Sequence, residues 1–220
     1  MTISIFAVIV CVACGYLLGS VNTSIIVSKF YKTDIRTLGS GNAGTTNTLR
    51  SLGKGAALVV LLGDAAKAAV AILVARGIMV LVMLNFPLSG AALGVLEAAQ
   101  YAAALACVVG HNYPVFFGFK GGKGVLTSVV AVLFFDWRCG LIGLLVFIIL
   151  LAIFRYVSLG SIVAAVATPA ASILLHNDLY TNILFVLLGL LLIVRHTANI
   201  KRLINGTENK ISAKKKGAQG

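Results

Sequence analysis

Acidic residues are scarce in this chain of 220 residues, which contains six Asp or Glu against 18 Lys or Arg. Charged residues make up only 11% of the sequence, whereas soluble domains carry about 25%. Hydrophobic residues make up 60%, and the mean hydropathy is +1.03. The shortage of charge excludes an ordinary soluble globular domain and predicts an integral membrane protein with several helical spans.

The four cysteines do not form a metal-binding or disulfide pattern. Cys11 and Cys14 have C-x-x-C spacing, but they lie in an apolar stretch without a histidine or a second pair nearby, so we expect packing thiols. Basic residues are also absent from the N-terminal stretch before Lys29. This absence favours an uncleaved first span over a signal peptide.

Seven apolar stretches predict an all-α integral membrane protein with seven transmembrane helices. One polytopic membrane domain is expected over residues 1–204, and a polar basic tail over residues 205–220. Lys214–Lys216 in the tail are expected to lie near anionic lipid headgroups. The predicted spans cover roughly 3–27, 55–75, 88–109, 125–135, 139–154, 162–175 and 179–194.

The distribution of Lys and Arg predicts which side of the membrane each connection faces. With seven spans, the first loop, the second loop, the turn at Arg155 and the tail share one side and hold fifteen Lys or Arg residues. The opposite side holds Arg76 and Arg138. Cytoplasmic loops carry the excess of positive charge, so the N-terminus is predicted outside and the C-terminus in the cytoplasm. We therefore interpret the net charge of +12 as the mark of cytoplasmic loops and expect no nucleic-acid partner.

The first loop contains a polar, glycine-rich segment, GSGNAGTTNTLR, at residues 39–50. Such a segment cannot lie in lipid with its backbone groups unpaired, so it must face water or line a cavity. Glycines allow successive N–H groups to point into one concavity, which suits a phosphate-like anion. Arg50 adds a guanidinium fork, although a glycine-rich segment can also be a plain flexible connector.

The second polar loop, GHNYPVFFGFKGGKG at residues 110–124, places Lys123 beside a Gly-Gly pair. The pair lets the backbone approach a ligand while Lys123 supplies charge, but a basic turn at the headgroups has the same composition. The loop lacks the spacing of a Walker A motif. His111 is either a catalytic base or, more simply, structural. Arg36 is a further candidate to converge on anions with Arg50 and Lys123.

Three ionisable residues are predicted within the spans. Asp64 and Lys67 are three positions apart on one helical face, so they are expected to form an ion pair, either functional or structural. Glu97 has no evident partner in the sequence.

The long polar motifs resemble those of the PlsY family of bacterial acyl-phosphate-dependent glycerol-3-phosphate acyltransferases. The resemblance covers nearly the whole chain. It includes DIRTLGSGNAGTTNTLRSLGK (34–54), DAAK (64–67), GHNYPVFFGFKGGKG (110–124), RYVSLGSI (155–162) and RHTANIKRL (195–203). Departures from the family pattern are Asn22 for a proline, Thr45 for an alanine and Leu126 for an alanine. None of them removes a candidate phosphate ligand.

The resemblance implies a seven-span enzyme of the bacterial cytoplasmic (inner) membrane with its active site on the cytoplasmic face. The implied substrates are acyl phosphate and glycerol 3-phosphate, and the implied products are lysophosphatidic acid and phosphate. The resemblance also implies no metal and no cofactor, membrane lipid around the protein and no obligate protein partner. By the same resemblance, the catalytic candidates are Ser40, Arg50, Lys123, Ser161, His196 and Asn199. The substrate-binding candidates are Gly39, Gly41, Asn42, Gly44, Thr46, Asn47, Gly121 and Gly122.

A second class of protein is compatible with the residues alone. A transporter of a phosphorylated solute could use the same anion cradle midway along its pathway. Such transporters often contain internal repeats with broken helices in matching positions, and no convincing repeat relates the two halves of this chain.

Overall fold

The computed structural model describes residues 2–88 and 90–211, and these form a bundle of α-helices without a strand. Two single 3-10 turns occur in the polar loops, at Ile35–Thr37 and Val115–Phe117. The α-helices are α1 (Thr2–Ser20), α2 (Thr23–Phe30), α3 (Thr45–Leu52), α4 (Lys54–Asn85), α5 (Ala91–Asn112), α6 (Val125–Phe135), α7 (Trp137–Phe154), α8 (Val157–Leu174), α9 (Leu179–Arg195) and α10 (Thr197–Ile204).

Every predicted span corresponds to an apolar helix, but not every helix is long enough to cross a bilayer alone. Among the described residues, five segments have the length and composition of a span: Thr2–Phe30, α4, Ala91–Phe117, α7 and α8. A sixth is added if α9 and α10, which meet at a bend of 58°, are counted together. The 11 residues of α6 rise about 16 Å, roughly half the hydrocarbon thickness. The fold is therefore an all-helical integral membrane fold with five or six full spans by length.

The second span differs most from its predicted bounds of 55–75. Helix α4 continues through the apolar run 78–84 and ends at Asn85 after 32 residues. The predicted bounds leave that run between two spans, but no proline interrupts the helix before Pro87. Arg76 consequently lies within α4 and not in a loop.

Close backbone approach joins α1 to α5. A Cβ atom on Gly15 would lie 2.4 Å from the carbonyl oxygen of Ala103, and one on Gly19 would lie 2.1 Å from that of Cys107. On α5, Gly110 has the same relation to the carbonyl oxygen of Tyr16, at 2.2 Å. Small residues let membrane helices pack at short distance, where van der Waals contact replaces the hydrophobic drive available in water.

The first span breaks between α1 and α2 because Asn22 starts a new helix. The Asn22 side chain accepts a hydrogen bond from Ile25 N and so caps α2. The break leaves the carbonyl oxygen of Val21 outside the helical ladder, where it accepts a hydrogen bond from Lys67 Nζ at 2.9 Å.

The polar loops meet at one end of the bundle. Arg36 forms a bidentate ion pair with Asp34 and donates to the carbonyl oxygen of Phe117, which ties the first polar loop to the second. Because these bonds use its guanidinium and it does not line the cavity described below, Arg36 is a structural clamp and not an anion ligand. The turn after α7 joins the same end, since Ile211 N donates to the carbonyl oxygen of Arg155.

Candidate active site

A cavity of about 400 Å³ opens among the converging loops and continues between α6, α7, α8 and α9. Its size is within the range of small-molecule sites. Ten of the fourteen candidate residues line it: Ser40, Asn42, Gly44, Thr46, Asn47, Arg50, Lys123, Ser161, His196 and Asn199. The other four, Gly39, Gly41, Gly121 and Gly122, lie behind this wall.

The first polar segment is half loop and half helix. Residues 39–44 form the loop, and α3 begins at Thr45 with Gly44 as its N-cap. No side chain caps α3, so the backbone N–H groups of its first turn are available at the cavity wall. The N-terminus of a helix favours an anion because its unpaired N–H groups carry partial positive charge.

Asn47 holds this loop in shape through both ends of its amide. Its Nδ2 donates to the carbonyl oxygens of Ile35 and Leu38, and its Oδ1 accepts from Ser40 N at 2.9 Å. Gly39 has φ of +55°, and a Cβ there would lie 2.4 Å from Asn47 Oδ1. Asn47 and Gly39 therefore shape the loop, and the amide of Asn47 has little capacity left for a ligand.

Lys123 is the central cation of the opposite wall. Its ammonium donates to Asn199 Oδ1, and Asn199 Nδ2 donates to Glu208 Oε1 at 2.8 Å. Burial lowers the pKa of Lys123 to about 8; the carboxylate of Glu208 opposes this shift, and neighbouring arginines, including Arg50, add to it. A lysine in this setting exchanges its charge within the physiological range more readily than an exposed one.

Glu208 closes this end of the cavity. Its carboxylate also accepts from Ser158 Oγ at 2.9 Å and from Arg202 Nε at 2.7 Å. Burial raises the pKa of Glu208, but the hydrogen bonds from Asn199, Arg202 and Ser158 outweigh burial and leave the pKa below its ordinary value. The carboxylate is thus ionised and fixes the orientation of the Asn199 amide.

Arg50, Ser161 and His196 complete the polar wall. Arg50 Nη2 donates to the carbonyl oxygen of Asn209 at 3.2 Å, so the arginine reaches across the cavity mouth. Ser161 Oγ donates to the carbonyl oxygen of Val157 within α8. His196 Nδ1 lies 2.8 Å from the carbonyl oxygen of Leu192, which can only accept, so Nδ1 carries a proton. In the neutral ring this leaves Nε2 as an acceptor.

Gly121 and Gly122 allow close packing behind the wall. A Cβ on Gly121 would lie 2.1 Å from the carbonyl oxygen of His111, and one on Gly122 would lie 2.1 Å from His111 Nε2. Arg195 donates to the carbonyl oxygen of Gly122 through Nε and Nη2 and stacks over Tyr113. These glycines position Lys123 through the backbone and do not contact the cavity.

The remaining wall of the cavity is apolar. It runs from Leu126 and Phe147 near the polar end to Gly143 and Phe185 deeper in the bundle. On α8 the lining residues extend from Val157 to Thr168, a rise of about 16 Å. A cavity with one cationic, hydrogen-bonding end and a long apolar arm suits an amphiphile with an anionic head.

Several lining residues were not among the predicted site residues, and four of them are ionisable or bonded to an ionisable residue: Glu208, Ser158, Asp64 and His111. Glu208 is the one acidic residue of the predicted tail, and this isolated charge is the signal that could have marked it. Its partners were not predictable, because residues 205–211 reach them only after folding back over α8 and α10. The tail residues Lys214–Lys216 lie outside the described part of the chain.

Two comparisons of sequence place the chain among known proteins. A family model described as glycerol-3-phosphate acyltransferase matches residues 9–206. A glycerol-3-phosphate acyltransferase of Clostridioides difficile is 44% identical over 212 residues, covering 96% of this chain and 98% of the relative. The corresponding protein of Shouchella clausii is 45% identical over 217 residues, with coverage of 96% and 98%.

Solved structures give the same result for the fold. The crystal structure of the integral membrane glycerol 3-phosphate acyltransferase PlsY (YgiH) in its glycerol 3-phosphate form superposes with a TM-score of 0.78 at 33% identity, over 95% of this chain and 96% of that one. Its lysophosphatidic acid form gives 0.77 at 32% identity, over 93% and 95%.

Proposed function

Because this chain belongs to the glycerol-3-phosphate acyltransferase family, we propose that it transfers a fatty acyl group from acyl phosphate to the 1-hydroxyl of sn-glycerol 3-phosphate. The products are lysophosphatidic acid and inorganic phosphate, as an early step of phospholipid biosynthesis. The observation that carries this proposal is the cavity itself, which joins a cationic end to an apolar arm. The polar end suits two phosphates, and the arm suits a fatty chain.

The two substrates occupy different walls of the polar end. Ser40, Asn42, Gly44 and Thr46, with the first-turn N–H groups of α3, face the phosphate of acyl phosphate. Glycerol 3-phosphate lies on the other wall, against Arg50, Lys123, Ser161, His196 and Asn199. This division is supported by the hydrogen bonds that join Lys123, Asn199 and Glu208 into one wall, away from α3. Arg50 belongs to α3, but its side chain reaches this wall at Asn209.

The reaction needs positioning more than a nucleophile on the protein. Acyl phosphate is already activated, so the 1-hydroxyl oxygen attacks the carbonyl carbon while the bond from that carbon to the phosphate oxygen breaks. A phosphate oxygen takes the hydroxyl proton. His196 Nε2 accepts a hydrogen bond from a glycerol hydroxyl, and Lys123 with Arg50 compensates phosphate charge.

The charge distribution supports the membrane arrangement that we propose. Seven helices cross the bacterial cytoplasmic membrane, with α6 as a short span and the N-terminus outside. The active site then faces the cytoplasm together with the fifteen basic residues of the loops and tail. A C-terminal fluorescent fusion tests the orientation, because it matures in the cytoplasm, whereas an alkaline phosphatase fusion at the same place is active only outside.

Purified protein tests the reaction directly. Release of phosphate from palmitoyl phosphate is measured with and without glycerol 3-phosphate, and lysophosphatidic acid is identified by mass. We expect phosphate release that depends on glycerol 3-phosphate and equals product formation. Activity with palmitoyl-CoA alone would contradict the proposed donor. Uptake of glycerol 3-phosphate into liposomes without product would instead indicate a transporter.

A further inference from the structure

Three ionisable residues that the mechanism above does not use meet where the first and second polar loops adjoin. Lys67 Nζ lies 2.9 Å from Asp64 Oδ1 and 2.9 Å from His111 Nδ1, and all three side chains are almost fully buried. Asp64 and His111 also line the cavity. Charged groups at such depth in a membrane protein are costly and point to a function.

The contacts of the Lys67 ammonium group determine the tautomer of His111. Lys67 Nζ donates to the carbonyl oxygen of Val21 at 2.9 Å and forms an ion pair with Asp64 Oδ1, which has no hydrogen-bond partner within the described residues. An ammonium can only donate, so His111 Nδ1, 2.9 Å from Lys67 Nζ, accepts a hydrogen bond from it. A ring nitrogen that accepts a hydrogen bond carries no proton. His111 is therefore neutral with its proton on Nε2, the opposite tautomer to that of neutral His196.

The protonated edge of His111 lies where the two polar loops meet. An ideal Cβ on Gly122 would be 2.1 Å from His111 Nε2 and 2.6 Å from the carbonyl oxygen of Ala43. Within the described residues, Nε2 makes no hydrogen bond. The ring thus offers an unused N–H donor beside the cavity, between the loop of Ser40 and the loop of Lys123.

We infer that His111 Nε2–H donates a hydrogen bond to the acyl carbonyl oxygen of the donor substrate as negative charge develops on it, and that Lys67 and Asp64 position this donor. The inference rests on the proposed function. Cations already face the phosphates, whereas a neutral donor gains most at an oxygen that becomes charged only in the transition state. His111 transfers no proton; the hydroxyl proton still leaves on phosphate.

Replacing His111 by the two amide residues tests the donor. A Gln side chain can place its amide nitrogen near the position of ring Nε2, whereas Asn reaches only the position of Nδ1. We expect His111→Gln to keep kcat within about tenfold, and His111→Asn and His111→Phe to lose about 10²–10³-fold. The KM for glycerol 3-phosphate should change by less than about threefold. Equal kcat for all three variants, or a change confined to that KM, would overturn the inference.

The positioning role has its own readout. Lys67→Met should lower kcat, and adding it to His111→Phe should cost nothing further, because the two residues act on one hydrogen bond. Additive losses would contradict the arrangement. Glu97→Gln, an exposed residue of the same helix α5, is the matched control and should leave kcat unchanged. Thermal unfolding of each purified variant gives the folded fraction by which kcat is corrected.

Two further measurements test the inference without relying on the folding of a variant or on the identity of the acyl donor. In wild-type protein, ¹⁵N spectra of labelled histidine should show His111 protonated at Nε2 and bare at Nδ1; the reverse pattern would overturn the inference without any variant. If wild-type protein uses an acyl thioester and not acyl phosphate, the proposed donor is wrong. The same variants are then measured with the thioester, whose carbonyl oxygen needs the same donor.

Discussion

Lys123 and Asn199, 76 positions apart, are joined by a direct hydrogen bond from the lysine ammonium to the amide oxygen. The amide nitrogen of Asn199 in turn donates a hydrogen bond to Glu208. The second polar loop, α10 and the segment after α10 therefore fix one another at the polar end of the cavity. The position of the Lys123 charge depends on all three.

Removal of the Lys123 charge should abolish turnover and leave the fold intact. Lys123→Ala is expected to lower kcat/KM by at least about 10²-fold, because one cationic contact to a phosphate is lost. Lys123→Arg keeps the charge and should retain more activity than the alanine variant. Steady-state kinetics and thermal unfolding of the two purified proteins measure both effects. Full turnover by Lys123→Ala would remove this residue from the site.

The pH dependence of kcat/KM should have a descending limb near pH 8. Burial lowers the pKa of Lys123 to about 8, so the ammonium loses its proton and its charge as the pH rises through that value. Anion binding weakens accordingly. Bound phosphate stabilises the ammonium, so the limb of kcat at saturating substrate should lie at higher pH than that of kcat/KM.

Lys123→Arg is the control for this limb, since an arginine stays protonated in this range. The variant should show no descending limb near pH 8, whatever its absolute rate. A wild-type profile that stays flat up to the ordinary range of lysine, about pH 10, would contradict the assignment.

The sequence predicted the class of fold and the main polar residues because both depend on local signals. Apolar runs marked the helices, and motif residues such as Arg50, Lys123 and His196 line one cavity. Gly122 was predicted as a ligand position but lies behind the wall, since a glycine can be required either by a ligand or by a neighbouring side chain. The sequence does not distinguish the two causes.

Other features depend on contacts between distant segments. Glu208 reaches the site only because residues 205–211 fold over the mouth of the cavity, and no local pattern shows this. The exact length of α4 was missed because a polar residue such as Arg76 resembles a loop boundary in a hydropathy pattern. An arginine can remain within a membrane helix near the interface, because its long side chain reaches the polar region.

Replacement of Gly122 by alanine should disturb the Lys123 loop through the backbone. The added Cβ would lie 2.1 Å from His111 Nε2 and 2.6 Å from the carbonyl oxygen of Ala43, so the loop must shift. We expect the KM for glycerol 3-phosphate to rise by at least about tenfold, with a destabilisation of about 1–3 kcal/mol. Gly55→Ala, where nothing lies within 4 Å, is the control: the KM should not change, and the helical Gly→Ala replacement should not destabilise the protein. Equal kinetics for the two variants would show that the close packing at Gly122 is unimportant.

Gly143 should set the depth available to the acyl chain. It lines the apolar arm of the cavity on α7, opposite Thr168 of α8, and a Cβ there would lie 2.6 Å from Thr168 Oγ1. Gly143→Val adds three carbons to this part of the arm. Each methylene that a long acyl chain can no longer bury costs about 0.8 kcal/mol, or about fourfold in kcat/KM. We therefore expect the preference among a series of acyl phosphates to shift towards shorter chains, with kcat for the shortest donors nearly unchanged.

Gly77→Val, in open space on α4, is the control for a bulkier residue in a membrane helix and should keep the wild-type preference. A uniform loss across all chain lengths in Gly143→Val would indicate that the acyl chain does not reach this part of the cavity.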